Sequence, residues 1–209
     1  MYKGMTKASG KLVCQVHRCP KVSLSWRLRN ALRWAYLRGW IAFRVAPILG
    51  RLFGFGTITS RLLLKVHKAN GDWIDYGCVE YRVVTTAFVT ALATALHTQA
   101  SPGNLFYHAL GTGVVAAAVG DTGMGTELTT EYTGNVRATG THTSAAGVYE
   151  SVGTNTIDEA GPFAITEHGV MGANTGASTL IDRHVFAAVN MSNGDSLVST
   201  YQLTLTAGG

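Results

Sequence analysis

The sequence predicts a mainly β protein: an antiparallel β-sandwich or jelly-roll-like domain with one packed helix, preceded by a basic, partly helical N-terminal arm. Three observations lead there. Residues 163–205 contain three runs rich in β-branched and aromatic residues, 164–171, 179–190 and 197–206, separated by GANTGA and MSNGDS. Gly and Asn reach positive φ at low steric cost, so the separators read as turns and the whole as a β-meander. The second observation is Asn70-Gly71 between RLLLKVHK and WIDYGCVEYRVV, a strong hairpin signal. Third, residues 1–68 hold fourteen Lys or Arg and no acid, whereas residues 69–209 hold three Arg against twelve acids. Segment charges of +14 and −9 make up the net +5 and imply two parts suited to different surroundings. The expected division is an arm, 1–60, and a β-rich domain, 61–209, the latter a hairpin and helix (61–98) followed by the sandwich (105–209).

A chain of 209 residues can bury a substantial core. With 14% charged residues and 25 glycines it is a turn-rich globular composition, not a disordered one. Three cysteines, Cys14, Cys19 and Cys78, are too few and odd in number for a disulfide scaffold. The start lacks the apolar core and small-residue cleavage site of a secretory signal, so synthesis in a cytoplasm with reduced thiols is expected.

In chain order, residues 1–25 are polar, basic and aperiodic, and read as an extended tail. A helix follows over about 25–45, with Ser25 as N-cap and Pro47 ending or kinking it. The segment is apolar, yet Arg27, Arg29, Arg33, Arg38 and Arg44 interrupt it, and each central arginine costs about 2.5–3.5 kcal/mol in a bilayer, which argues against a membrane span. On one continuous helix Arg29, Arg33 and Arg44 gather together while Arg27 and Arg38 fall elsewhere, which predicts a segment gripped from several sides rather than a surface-lying helix. The hairpin of 61–84 leads to a second helix over 83–97. Val84, Phe88, Leu92 and Leu96 form its apolar stripe, Thr85 or Thr86 its N-cap, and a sheet or a neighbouring subunit its packing partner. Pro102-Gly103 marks a turn. Residues 106–110 form a short strand, 111–113 a turn and 114–126 a loop; 132–143 and 147–158 are two further strands. The spacing suits six to eight antiparallel strands, and no repeat of fixed period is present.

Chemistry-bearing groups are sparse. Cys14, His17 and Cys19, with His67 or Cys78 as a fourth ligand, are the best metal candidates, but the spacing is irregular and a second ligand pair is absent; the residues read as free thiols and no metal is expected. In an oxidising medium a Cys14–Cys19 cross-link, or one to a neighbour, is a secondary expectation. Glu167-His168 and Asp182-Arg183-His184 set acids beside histidines. Adjacent strand residues face opposite ways, so only Asp182 and His184 share a face. No serine or cysteine stands in a nucleophile-elbow context, and no catalytic residue is assigned. Glu167 and Arg183 instead suit a cross-strand or intersubunit ion pair. Gly111-Thr112-Gly113 lacks the rest of a dinucleotide fingerprint, and no phosphate-loop Gly-Lys-Ser/Thr exists. The Asp121–Glu127 and Asn190–Asp195 stretches read as turns rather than Ca²⁺ loops, so no cofactor is expected.

The arm carries the candidate partner-binding residues Trp26, Arg27, Arg29, Arg33, Trp34, Arg38, Trp40, Arg44 and Arg51. Nucleic acid is one partner class, with arginines on phosphates and tryptophans stacked on bases. A protein surface is the other, with aromatic and aliphatic side chains in apolar grooves and arginines on carboxylates. The apolar content favours protein.

The order LLLKVHKANGDWIDYGCVEYRVVTTAFV, FYHALGTG, GDTGMGTEL, ITEHGVM, LIDRHVFAAVN, NGDS and a final LTAGG resembles an uncharacterised family of small structural proteins of tailed bacteriophages, over roughly residues 62–209. The resemblance implies a virion component made in the bacterial host cytoplasm and free of catalytic residues. Capsid decoration or cement comes first, and a collar, head–tail or tail-associated part second. With the apolar helix, it also implies a closed homo-oligomer, most often a trimer, with Phe88, Leu92, Leu96, Glu167 and Arg183 at the subunit interface, and other virion proteins, capsid or neck, as partners.

Overall fold

A computed structural model describes residues 22–82, 84–101 and 104–207, apart from the side chains at 34, 35 and 82. The tail expected for 1–25 therefore lies outside the described residues up to position 21, as do Cys14, His17, Cys19 and the Pro102-Gly103 turn. The described chain builds two antiparallel sheets and three helices, the mainly β sandwich that the periodicities predict. Strands β1 (Thr57–His67), β2 (Trp73–Arg82), β5 (Thr141–Ala145), β6 (Val148–Thr156) and β9 (Ser196–Thr206) form one sheet in the order β2-β1-β9-β6-β5. Strands β3 (Tyr107–Gly111), β4 (Ala138–Thr139), β7 (Phe163–Met171) and β8 (Leu180–Met191) form the other in the order β4-β3-β7-β8.

The hairpin at Asn70-Gly71 forms where the turn chemistry places it. Gly71 adopts φ +91°, and the Asn70 side-chain oxygen accepts the Asp72 N–H at 3.0 Å. Its first strand starts at Thr57, so the boundary set at 60/61 falls inside β1. Leu62, Leu64 and Val66 alternate into the core, as do Leu197, Ser199, Tyr201 and Leu203 of β9.

The expected three-stranded meander is not formed. β7 pairs with β8, but β9 crosses to the other sheet and inserts between β1 and β6. The turn at 192–195 is a corner between sheets. Asp195 accepts N–H groups from Ala69 (3.0 Å) and Ser192 (2.8 Å) and pairs with Lys68 at 2.7 Å, which ties the corner to the β1–β2 turn. The strand expected over 132–143 likewise divides. β4 and β5 lie in different sheets, and the chain passes between them at Gly140, where a Cβ would collide with Ser151 Oγ and lie 2.8 Å from His108 Nε2.

Helix α3 (Thr86–Thr98) is capped as predicted by Thr85, whose Oγ1 accepts the Phe88 N–H and also donates to the Leu180 carbonyl at 2.6 Å. That bond fixes the helix to β8 and drives Phe88 into the core with Val170, Ile181 and Tyr201. Phe88 is thus an interior residue and not an interface one; Leu92 packs partly against the same cluster, and Leu96 is exposed.

The N-terminal segment departs most from expectation. Two helices replace the single one: α1 (Leu24–Ala31), capped by Ser23 rather than Ser25, and α2 (Trp34–Phe53), which runs through Pro47 and ends at Gly54, φ +72°. Packing on both sides of the proline outweighs its missing N–H: Phe43 lies against Tyr81, and Gly50 sits so close to the chain that a Cβ would come within 2.5 Å of the Phe55 carbonyl oxygen. Helix α1 closes the seam where two sheet edges, β2 and β8, meet. Asn30 is buried; its amide donates to the Val79 carbonyl of β2 at 2.7 Å and its oxygen accepts the Ala187 N–H of β8 at 3.1 Å. Trp26 does the same with an indole: Nε1–H donates to the Ala188 carbonyl at 3.0 Å while the ring meets Tyr76 edge-on at 4.7 Å. One short helix thereby satisfies backbone groups that two edge strands would leave open.

Helix α2 turns its small residues inward. A Cβ at Gly39 would overlap the Tyr81 carbonyl oxygen, so this helix approaches β2 as closely as backbones allow. Gly39→Val is expected to lower the unfolding free energy by about 2–3 kcal/mol. Gly120→Ala, facing open space, is expected to stay within about 0.5 kcal/mol of the parent. Urea denaturation of the two variants checks both.

Candidate functional site

Three groups of residues concentrate the chain's polar and exposed apolar features. The first is an ion-pair clamp. Glu167 on β7 is fully buried and its carboxylate is used on all sides: Oε1 accepts the Gly125 N–H at 2.6 Å and Arg183 Nε–H, while Oε2 accepts the N–H groups of Thr126 at 3.0 Å and Gly113 at 3.1 Å. Arg183 on β8 completes the network with Asp121 at 2.9 Å and the Val115 carbonyl at 3.1 Å. Burial acts to lower the Arg183 pKa, and its bonds to Glu167 and Asp121 reverse this and raise it. The pair forms across strands β7 and β8 of one chain, the first of the two arrangements expected for it, and this corrects the placement of Glu167 and Arg183 at a subunit interface. Loop 112–126 is wrapped around the pair, and its glycines are required there. A Cβ at Gly113 would collide with Glu167 Oε2, and one at Gly125 would approach Arg183 Nη2 to 2.7 Å. The blocks GTG, GDT, ITEHG and DR, distant in sequence, are thus the parts of one clamp. A second pair, Arg137 with Glu127, is bidentate (2.6 and 2.9 Å), and Arg137 also donates to the carbonyls of Ala173 and Gly176.

The second group is a row of histidines between the sheets. His108 of β3 lies with Nε2 2.9 Å from Ser151 Oγ and Nδ1 3.0 Å from His168 Nε2; the His184 ring follows 5.9 Å beyond His168 and meets Tyr201 edge-on at 5.9 Å. All are buried. Burial pushes His108 down to about 4, and burial together with the neighbouring His108 and His184 holds His168 well below its ordinary value. Asp182 accepts from Ser60 Oγ and stands 3.7 Å from His184 Nε2, the shared face that alternation predicts. Ser151 and His108 have the spacing of a nucleophile and its base, and both side chains are fully buried. The row is an interior polar layer in which burial disfavours the charged forms of His108 and His168.

The third group is the outer face of α2. Leu37, Ile41, Val45, Ile48 and Leu52 are all exposed, from 39% to 71%, and at 100° per residue they form one stripe opposite Gly39, Ala42, Phe43, Ala46 and Gly50. Arg44, Arg51 and Trp40 border the stripe on one side and Arg38 on the other, all exposed. Phe53 and Phe55 extend the apolar surface, at 72% and 48% exposure. A cleft of ≈ 370 Å³ separates Arg38, Gly39 and Ala42 from Val119 and Asp182. No acid occurs between residues 22 and 68.

The expected partner-binding residues divide on this surface. Arg38, Trp40, Arg44 and Arg51 belong to the outer face of α2, and Arg27 and Arg29 are exposed on α1. Arg33 is half-buried between the helices, Trp26 is built into the core, and the Trp34 side chain lies outside the described residues. The aliphatic stripe itself was not singled out from sequence. Its signal was the spacing of small residues, Gly39, Ala42, Ala46 and Gly50, which marks the opposite, packed face.

Two outcomes are expected of the buried groups. Glu167→Gln removes one charge of a buried pair and is expected to cost about 3–5 kcal/mol in denaturant unfolding, with part of the loss recovered in Glu167→Met/Arg183→Met. For the histidines, between about pH 6.5 and 4 the unfolded chain binds a proton at residue 108 that the folded chain excludes. Stability is therefore complete above about pH 6.5 and falls on acidification at about 1.4 kcal/mol per pH unit for each such histidine. Urea titrations at pH 7 and pH 5 are expected to differ by at least about 2 kcal/mol, with the acidic sample weaker.

No family model, curated protein or solved structure matches this chain.

Proposed function

We propose that this chain is a non-enzymatic structural subunit of a tailed-phage virion, a capsid decoration or cement protein first and a collar, head–tail or tail-associated component second. The carrying observation is the outer face of α2: large aliphatic and aromatic side chains and arginines turned to solvent, on a helix whose inner face is already packed on β2. An exposed apolar surface of this extent on a small domain is characteristic of an interaction site. Supporting the assignment to a virion is the way the motifs that carry the phage resemblance meet in the Glu167–Arg183 clamp, where acids and cations are spent on holding loops rather than on chemistry. The sandwich is the scaffold and the helical surface the attachment. Oligomerisation, with a trimer favoured, is part of the same proposal; Leu92 and Leu96 of α3 remain available to it, whereas Phe88 does not.

A nucleic-acid-binding role rests on the same arginines. The stripe between them weighs against it, because phosphate contact would leave Ile41, Val45, Ile48 and Leu52 uncovered. Because α1 and α2 are part of the folded unit, point substitution tests the reading better than deletion of 1–60. Arg44→Glu/Arg51→Glu is expected to leave the thermal midpoint within about 2 °C and to lower the copy number in purified particles at least about tenfold, which corresponds to loss of at least 1.4 kcal/mol of anchoring. Incorporation at the parental level, measured by quantitative mass spectrometry of the particles, would sink the anchoring role.

A further inference from the structure

The outer stripe of α2 repeats at seven-residue spacing. Ile41 and Ile48 are seven residues apart, as are Val45 and Leu52, and as are Arg44 and Arg51, with Leu37 one heptad before Arg44. The stripe spans about 22 Å of helix, enough for two heptads of a partner. An apolar seam at 4-3-4 spacing with two arginines seven residues apart along its border is a surface onto which another helix can pack. The opposite face is closed by its contact with β2, so the seam is fixed in orientation before any partner arrives.

Charge decides which helix. Pairing with a second copy of α2 would bring Arg38, Arg44 and Arg51 against their own counterparts, with no acid anywhere from residue 22 to residue 68 to neutralise them. Carboxylates at heptad spacing are the complement.

We infer that the outer face of α2 binds an amphipathic helix of a different protein, one whose apolar stripe is bordered by Asp or Glu at seven-residue intervals. The inference rests on the reading of this surface as the attachment face and names its partner's chemistry. Ile41, Val45, Ile48 and Leu52 supply the buried seam. Arg44 and Arg51 select acidic borders, and Arg38 guards the other side.

The test uses the full chain and two labelled four-heptad peptides with the same Leu seam, one bordered by Glu and one by Lys, with fluorescence anisotropy as readout. The Glu peptide is expected to bind, and to bind at least about tenfold more weakly after Ile41→Gln/Ile48→Gln. Arg44→Glu/Arg51→Glu is expected to exchange the preference, losing the Glu peptide and gaining the Lys peptide. Equal binding of both peptides by the parent chain, no binding of either, or binding that survives the seam substitutions overturns the inference. So does adsorption to phosphatidylglycerol vesicles that the same substitutions abolish while the peptides stay unbound, which assigns the face to an anionic lipid surface. Sedimentation showing self-association lost on Ile41→Gln/Ile48→Gln assigns it to a second copy and also overturns it. Particle copy number separates the two readings: incorporation without peptide binding leaves attachment standing and removes the helical partner, whereas absence from particles removes the virion assignment itself.

Discussion

The Glu167–Arg183 pair is the constraint on which the second sheet and its loops depend. A carboxylate removed from water needs its lone pairs filled, and here the filling groups are backbone N–H groups of residues 113, 125 and 126. Those donors are available only if loop 112–126 folds back over β7, and it can do so only with glycines at the points of closest approach. A single buried charge therefore specifies the path of fifteen residues of loop. Its value lies in selecting one loop conformation, because only a carboxylate at this position accepts the N–H groups of residues 113, 125 and 126 together.

The histidine row obeys the same logic with a different outcome. His108, His168 and His184 take positions between the sheets that aliphatic side chains could occupy; His108 hydrogen-bonds to His168 and to Ser151, and the His184 ring lies 5.9 Å beyond His168. Together with Asp182 and Ser60 they make the centre of the sandwich polar and directional. The apolar clusters lie on either side, around Leu62, Leu64 and Ile165 and around Phe88, Ile181 and Tyr201. Direction in a core favours one register over its slipped alternatives, at the cost of sensitivity to acid.

The helical segment follows from what the sandwich lacks. Strands β2 and β8 are sheet edges that approach one another, and α1 joins them through Asn30 and Trp26. Once α1 is fixed there, α2 lies across β2, and Gly39 and Gly50 determine how near it comes. The large residues of α2 have no remaining interior to enter. Their exposure is a consequence of which side carries the glycines, and it leaves the protein with an apolar face bordered by Arg38, Arg44 and Arg51 and by no acid.

The sequence by itself determined the mainly β class, the Asn70-Gly71 hairpin, the Thr85-capped helix, and the separation of charge between the N-terminal segment and the rest. These are local properties, set by turn stereochemistry, capping and side-chain period, and a reader of residues can reach them. Tertiary structure alone decided that β9 leaves its neighbours for the other sheet, that residues 132–143 split at Gly140, that Pro47 stays inside a helix, and that Trp26 and Phe88 face inward. Each of those depends on a partner far along the chain: Lys68 and Ala69 for the Asp195 corner, Ser151 for Gly140, Tyr81 for α2, Ala188 for Trp26. Of the candidate site, the arginines and Trp40 were legible as residues. Their common face was not, because the helix expected from sequence ends near residue 45 before Pro47, whereas α2 continues to Phe53 and carries Ile48, Arg51 and Leu52 onto the same face.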